Sequence, residues 1–211
     1  MKFKNTFFII GNAYAGKSTM VKRLAERYNG MACEENYHNA LLPELDKREY
    51  PNLTYTRDLK DWHDFIRRTP EEYERWIEGS SREAERLELQ VLSRLNPEGK
   101  PVFVDTNIKP ETLKEISDRD HVLVMLADPE VSVNCFFERP DREKQFLYRL
   151  ILEEKDPQKA LANFRECLRR INSPANYDAF LHSGFRVILR DENRSIEDTL
   201  ARVEQCFGLQ N

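Results

Sequence analysis

The strongest chemical signal in this sequence is a run of nine residues near its start that matches the phosphate-binding pattern G-x-x-x-x-G-K-[ST]. When such a loop joins a buried strand to a helix, its backbone N–H groups converge on one point, and the helix N-terminus adds a positive dipole end there. The apolar run 7–10 and the helical pattern at 17–28 supply that setting, which favours phosphate binding over a chance match in a turn. The nine residues are Gly11, Asn12, Ala13, Tyr14, Ala15, Gly16, Lys17, Ser18 and Thr19.

Three side chains carry the chemistry predicted for this loop. We expect Lys17 to reach the β- and γ-phosphates of a nucleoside triphosphate and the Ser18 hydroxyl to ligate Mg²⁺. A second magnesium ligand is predicted at Asp105, which ends the apolar run 102–105 in the Walker B manner. The alternative role for Asp105, capping the helix that begins near Pro110, is disfavoured because the aspartate lies too far before that proline.

Two adjacent glutamates, Glu34 and Glu35, follow the second predicted strand. A carboxylate at this place could accept the proton of an acceptor hydroxyl. Strand alternation allows only one of the two to face the site. We favour Glu35, which lies nearer the following loop, and expect Glu34 to face solvent.

A dense run of charge occupies 135–147, and Arg149 follows it. Its cations would neutralise charge on a transferring phosphoryl group if the segment folds as a short turn between helices. Arg139 and Arg142 are the first candidates, with Lys144 and Arg149 behind them. The alternative interpretation of this charged run is a helix face exposed to solvent, which the run considered by itself would favour.

The elements that must position these residues follow from hydrophobic patterning. Helical patterns alternate with strand-like runs, which predicts an α/β fold with a mostly parallel sheet and all strand ends on one edge. The five predicted strands are 6–10, 30–34, 102–105, 122–126 and 185–189.

Two further segments complete the expected organisation. The longest helix is predicted at 70–95, opened by a capping box of Thr69 and Glu72, with an outer face of Glu and Arg that reads as ordinary surface. The connection 35–68 contains a predicted short helix at 58–68. We expect this connection to bind the acceptor substrate, the alternative being a surface excursion held by its own aromatic residues.

Composition narrows the function classes. The 211 residues suit one domain, and a net charge of −4 gives no reason to expect nucleic-acid or membrane binding. The four cysteines show no C-x-x-C spacing, which disfavours a zinc or thioredoxin-like site and fits a reducing cytoplasm. No apolar stretch approaches the roughly 20 residues of a membrane span.

The phosphate loop, the acid that ends strand three and the arginine-rich run after strand four occur in the same order as in small P-loop kinases. The chain resembles the nucleoside/nucleotide kinase branch of that fold, which includes adenylate kinase-like, shikimate kinase-like and zeta-toxin-like enzymes. The resemblance implies a P-loop NTPase three-layer α/β/α sandwich whose five parallel strands have the order 2-3-1-4-5. It further implies a lid at about 138–149, an acceptor-binding segment at about 35–95, and an adenine site by the loop 190–194, here represented by Arg194.

The same comparison leaves the acceptor open. The chain has neither the D-G-[FY]-P-R of adenylate kinases nor the D-R-[YH] of thymidylate and deoxynucleoside kinases, and Asp105-Thr106-Asn107 stands there instead. It also lacks the G-G-G segment of shikimate kinases. Ala13 and Tyr14 replace the Pro-Gly of many kinase loops.

The expected activity is therefore that of an ATP-dependent kinase acting with Mg²⁺ on a small molecule, nucleoside or nucleotide. One alternative is a nucleotide-binding ATPase or GTPase module. The sequence lacks the N/T-K-x-D motif of G-proteins, an acidic D-E pair after strand three, and the L-S-G-G-Q signature. A second alternative, a catalytically degenerate P-loop protein, is disfavoured by the intact Lys17, Ser18 and Asp105. Oligomeric state is not indicated.

Overall fold

The computed structural model describes residues 2–95, 98–138 and 142–209. The chain divides into two compact units. Unit 1 comprises residues 1–41, 84–127 and 177–211, and unit 2 comprises residues 42–83 and 128–176. The predicted acceptor-binding segment is thus divided between the units, and the predicted lid falls within unit 2.

Unit 1 contains a five-stranded sheet in which all strands are parallel and the order is β2-β3-β1-β4-β5. This confirms the predicted α/β class, sheet order and pairing. β2 and β5 begin one residue later than predicted, and β2 ends one residue earlier. The strands are β1 (Thr6–Ile10), β2 (Met31–Cys33), β3 (Val102–Asp105), β4 (Val122–Leu126) and β5 (Arg186–Leu189).

Ten α-helices lie within the described residues. Short 3-10 helices are present at Tyr37–Glu44 and Arg119–His121. The α-helices are α1 (Lys17–Arg27), α2 (Leu53–Asp58), α3 (His63–Ile66), α4 (Pro70–Arg94), α5 (Pro110–Ile116), α6 (Pro129–Asn134), α7 (Arg142–Glu153), α8 (Pro157–Ile171), α9 (Pro174–Leu181) and α10 (Ile196–Phe207).

The central strands of unit 1 are buried throughout. Every residue of β1, β3 and β4 is buried, as expected for parallel strands covered on both faces. In the strand register Ile9 is opposite Asp105 on one side and Leu123 on the other. The carboxyl end of β1, where the loop 11–19 begins, therefore lies between the corresponding ends of β3 and β4.

Unit 2 is helical and has an aromatic core. Phe65 and Trp76 meet edge to face with ring centroids 5.0 Å apart, and Phe164 of α8 packs against Tyr73 at 5.7 Å. Edge-to-face rings bring the positive edge of one against the negative face of the other, which adds to the burial of apolar area.

The predicted capping box at the start of α4 is confirmed. The backbone N–H of Thr69 donates to Glu72, and the N–H of Glu72 donates to the Thr69 hydroxyl, which is a complete capping box. Asp128, Asp156 and Ser195 accept backbone N–H bonds at the starts of α6, α8 and α10.

The single helix predicted at 58–68 is wrong. Helix α2 lies before this range and ends at Asp58, the chain extends at Leu59, and only the four-residue helix α3 lies within the range. Asp61 then accepts the N–H of His63 and starts α3. The first N–H groups of α2 are satisfied by Glu83 of α4, a long-range contact with no local sequence signal.

The expectation of an ordinary charged outer face on α4 is also wrong in two places. Glu83 is 6% exposed and Glu88 is fully buried. Both carboxylates accept several hydrogen bonds within their own unit, which is what permits a buried charge. Spacing alone does not distinguish these glutamates from their exposed neighbours.

Among the described helices, none has the length and apolar character needed to cross a bilayer. None of the four cysteines, all of which lie within the described residues, forms a disulfide.

Candidate functional site

Two glycines with positive φ shape the loop 11–19 in unit 1. Gly11 has φ 132°, and a Cβ placed on it would lie 1.8 Å from the carbonyl oxygen of Met125 in β4. Gly16 has φ 90° and immediately precedes α1. The loop therefore passes so close to β4 that only a residue without a side chain fits at its first position.

One residue of this loop adopts a left-handed conformation without being glycine. Tyr14 has φ 66° and is 8% exposed. It is one of the two residues that replace the Pro-Gly of many kinase loops. The backbone here thus keeps a conformation that suits glycine while carrying a buried aromatic side chain.

The Asn12 side chain ties the loop to the end of β4. Its amide nitrogen donates to the Ala127 carbonyl at 2.7 Å, and its amide oxygen accepts the Ala127 N–H at 2.8 Å. This pair of hydrogen bonds joins the Asn12 side chain to the backbone just after β4 and fixes the loop before α1 begins.

Lys17, Ser18 and Asp105 meet at the carboxyl end of the sheet. The Ser18 hydroxyl donates to Asp105 Oδ2 at 2.7 Å, and Lys17 Nζ lies 3.8 Å from Asp105 Oδ1. Lys17 Nζ also donates to the Asn12 carbonyl at 3.1 Å. The structure thus brings together the three residues for which phosphate and magnesium roles were predicted.

Asp105 is a carboxyl group held out of water. It is 2% exposed, and burial raises its pKa above the ordinary aspartate range. The charge of Lys17 and the hydrogen bond from Ser18 lower the pKa, whereas the charges of Glu35 and Glu88 raise it further. A desolvated carboxylate with few cationic partners favours the arrival of another cation.

The structure separates the two glutamates after β2. Glu34 pairs with Lys22 of α1 at 2.9 Å, and both side chains are about half exposed. Glu35 is also exposed, but its charge acts on Asp105. The assignment of Glu35 as a base stays a prediction, while Glu34 has the surface position expected of it.

Directly beside Asp105 lies a buried polar network that sequence reasoning missed. Each carboxylate oxygen of Glu88 accepts two hydrogen bonds. Oε1 accepts from His38 Nδ1 at 3.0 Å and from the Asn107 side-chain amide at 2.8 Å. The other oxygen accepts from the Thr106 hydroxyl at 2.6 Å and the Asn107 N–H at 2.9 Å. Because a carboxylate can only accept, this bond requires the His38 tautomer in which Nδ1 is the donor.

This network holds the backbone that follows the predicted magnesium ligand. Thr106 and Asn107 come next to Asp105 in the chain, so Glu88 anchors the segment from which the aspartate projects. The Tyr37 hydroxyl is buried nearby without a well-formed hydrogen bond, and burial first and Glu88 second raise its pKa far above the normal value. A glutamate on the polar side of α4 gave no sequence signal for this role.

In the predicted adenine loop, Arg190 rather than Arg194 reaches the phosphate loop. A guanidinium nitrogen of Arg190 donates to the Tyr14 carbonyl, and its own N–H donates to Leu126 at 2.7 Å. Arg194 donates to the Leu189 carbonyl at 3.2 Å and lies 3.5 Å from Asp191. These contacts anchor Arg194 within its own loop, and its nucleotide-binding role stays a prediction.

The predicted lid differs in form from the expected short turn. Residues 142–149 belong to helix α7, because Leu150, Ile151 and the preceding apolar residues pack into the core of unit 2. Arg142 begins this helix and is exposed, and Arg149 lies two turns further on. Arg139 lies outside the described residues.

The donor set suits a weakly held magnesium ion. No group of three or more His, Cys, Asp or Glu side chains converges within the part of the chain that the structure describes. Ser18 and Asp105 offer adjacent oxygens, and Mg²⁺ in nucleotide sites typically takes one or two protein ligands plus water and phosphate oxygens. The two residues therefore fit the ion, provided that a phosphate-bearing ligand supplies the rest.

No protein-family model matches the chain, and a search of curated proteins gives no match. The chemistry of the site is accordingly inferred from the residues described above.

Proposed function

We propose that the protein is an ATP-dependent phosphotransferase with the P-loop NTPase fold, in its three-layer α/β/α form, acting on a small molecule, nucleoside or nucleotide. The observation that carries the proposal is the meeting of Lys17, Ser18 and Asp105 at the end of a loop whose first glycine touches β4. A backbone cradle, a lysine and a hydroxyl–carboxylate pair are the parts that phosphoryl transfer requires.

In this proposal each residue has one task. The N–H groups of the loop 11–19 bind the triphosphate, and Lys17 pairs with its terminal phosphates. Ser18 and Asp105 hold Mg²⁺, which neutralises charge on the phosphates when it is bound. Glu35 accepts the proton of the acceptor hydroxyl, and Arg139 and Arg142 stabilise the transferring group.

Two other functions use the same loop. A nucleotide-hydrolysing module would turn over ATP without an acceptor, and a degenerate protein would bind ATP without turnover. The absence of GTPase and ATPase sequence signatures favours the kinase. We further propose a cytoplasmic location, since none of the four cysteines forms a disulfide, and no nucleic-acid or membrane partner, since the net charge is −4.

The test is ADP formation from Mg·ATP against panels of nucleosides, nucleotides, sugars and other alcohols. We expect one class to raise ADP formation above the acceptor-free rate. Glu35→Gln and Arg142→Gln should then reduce turnover by at least about tenfold while ATP affinity changes little. Glu34→Gln is the matched control and should leave turnover unchanged. Acceptor-independent hydrolysis, or equal turnover in all three variants, would contradict the kinase assignment.

A further inference from the structure

Unit 2 contains a cavity of about 510 Å³ that the phosphate loop does not share. All of its lining residues belong to 42–83, and its volume is within the range of small-molecule sites. Arginines and aromatic rings dominate its wall: Pro51, Asn52, Tyr55, Asp64, Arg67, Arg68, Glu72, Arg75 and Trp76 line it.

Arg68 lies in the wall of this cavity and packs against two aromatic rings. The Arg68 guanidinium carbon lies 4.0 Å from the centre of the Tyr55 ring and 5.3 Å from that of Trp76. Its Nη1 is buried and makes no hydrogen bond. Aromatic faces stabilise a guanidinium but accept none of its in-plane N–H bonds, so a buried donor is left unsatisfied.

Arg68 is also held in place from its backbone. The Arg68 carbonyl accepts the Asn163 side-chain amide at 2.8 Å and faces the Cys167 thiol at 3.7 Å, both on α8. A guanidinium fixed by rings on one side and by its main chain on the other loses little entropy on binding a ligand.

Trp76 and the start of α2 are held by further contacts. The Trp76 N–H donates to the Asn52 carbonyl at 2.9 Å, and buried Glu83 accepts the N–H groups of Asn52 and Leu53. A Cβ on Gly79 would lie 2.4 Å from the Asn52 side chain, so only glycine permits this close approach. These contacts set the start of α2 and hence the position of Tyr55 one turn later.

Three arginines share this wall with two acids, and the charge of one of those acids, Asp64, acts on Arg67. Arg67 is bound to Glu154 at 2.8 Å, and Glu72 is committed to the N-terminus of α4 through Thr69. Hydrogen bonds from Thr69 lower the pKa of Glu72, and the charges of Arg75 and Arg68 lower it further. Both arginines line the same cavity as Glu72.

We propose that this cavity binds a small molecule carrying a compact oxyanion, a phosphate monoester or a carboxylate, on a flat or apolar body. Arg68 and Arg75 supply the guanidinium groups, and Tyr55 and Trp76 form the apolar wall. The cavity is larger than a bare phosphate requires, and guanidinium groups match the paired oxygens of both anions. The proposal stands whether or not the phosphate loop transfers phosphate.

Binding is best followed by the fluorescence of Trp76. The chain contains two tryptophans, so Trp62→Phe leaves Trp76 as the sole reporter. In that background phenyl phosphate and benzoate are titrated separately to about 10 mM. We expect a saturable change with at least one of them, and the tighter probe identifies the anion class.

Three further substitutions decide the location. Arg68→Gln should weaken binding by at least about tenfold, and exposed Arg75→Gln, which disturbs no core packing, by a smaller factor. Arg82→Gln, an exposed arginine on α4 outside the cavity wall, is the matched control and should bind normally. Lys17→Ala should also bind normally, because the phosphate loop is a separate anion site.

Several results would overturn the proposal. One is no saturable change with either probe. A second is that the Arg68→Gln and Arg75→Gln variants both bind the probe as tightly as the Trp62→Phe background does. A third is loss of the fluorescence change in the Lys17→Ala variant. If Arg68→Gln fails to fold, as judged by circular dichroism, unchanged binding in Arg75→Gln alone overturns it.

Discussion

Removing the Glu88 carboxylate should destabilise unit 1 more than any surface substitution can. Glu88→Ala deletes the acceptor of four hydrogen bonds and leaves the donors of buried His38 and Thr106, and those of exposed Asn107, without this partner. Hydrogen bonds to charged groups are worth about 1.5–3 kcal/mol each, but they share one carboxylate and do not add. Breaking a buried charged cluster typically costs about 3–5 kcal/mol, which we take as the expected loss.

The Gln variant refines this expectation. Glu88→Gln keeps one acceptor oxygen but turns an NH₂ group toward donors that the second oxygen had satisfied. Rotation of the Asn107 amide and a change of His38 tautomer can accommodate that group in part. We therefore expect a loss of about 1–2 kcal/mol, clearly smaller than for alanine.

Urea unfolding followed by far-ultraviolet circular dichroism measures both losses. With a slope near 2 kcal/mol per molar urea, the alanine variant should move the midpoint by about 2 M. Trp62 and Trp76 both lie in unit 2, so their fluorescence reports separately on that unit. Glu115→Ala, an exposed acid on α5, is the control and should stay within about 0.5 kcal/mol. A loss below about 1 kcal/mol in Glu88→Ala, or a Gln variant as unstable as alanine, would refute the reasoning.

Two further substitutions test the phosphate loop. Gly11→Ala places a Cβ 1.8 Å from the Met125 oxygen and should abolish nucleotide binding while lowering the melting temperature strongly. Gly184→Ala, also at positive φ but with open space around the new Cβ, should cost only about 1–2 kcal/mol, and equal effects would refute the clash. Asp105 has a raised folded-state pKa, so it contributes stability at low pH that is lost as pH rises through that pKa. Without ligand at pH 7, Asp105→Asn should therefore have a higher melting temperature than the native protein, and the difference should shrink on acidification. The same variant should lose magnesium-dependent ATP binding. A melting temperature below that of the native protein at pH 7 would contradict this expectation.

Local signals in the sequence were sufficient for the sheet and for the boundaries of α1 and α4 to within one residue. Strand β3 and the loop 11–19 combine apolar patterning with residues of restricted conformation, so their places follow from short-range rules. Asp105 is adjacent to Ser18 because β1 and β3 are neighbours in the sheet, and the predicted strand order already implied that adjacency.

Contacts between distant segments could not be predicted in the same way. Glu83 and Glu88 have the same spacing as exposed glutamates of α4, and only the groups packed against them make them buried acceptors. The start of α2 depends on Glu83, which is 30 residues away from Leu53 in sequence. This helix was therefore missed from the sequence, and one was predicted at 58–68 instead. Arg190 was missed as a loop contact because its bond is to a backbone carbonyl, which leaves no side-chain pattern.

Calorimetric titration of the protein with Mg·ATP tests the central claim most directly. The native protein should bind, and Lys17→Ala should lose at least about tenfold in affinity, since one charge-assisted contact to phosphate is worth about 1.5–3 kcal/mol. Lys22→Ala, an exposed lysine on the same helix, should bind like the native protein. Equal affinity in the native protein and Lys17→Ala, or no binding by the native protein, would contradict a phosphate-binding role for the loop.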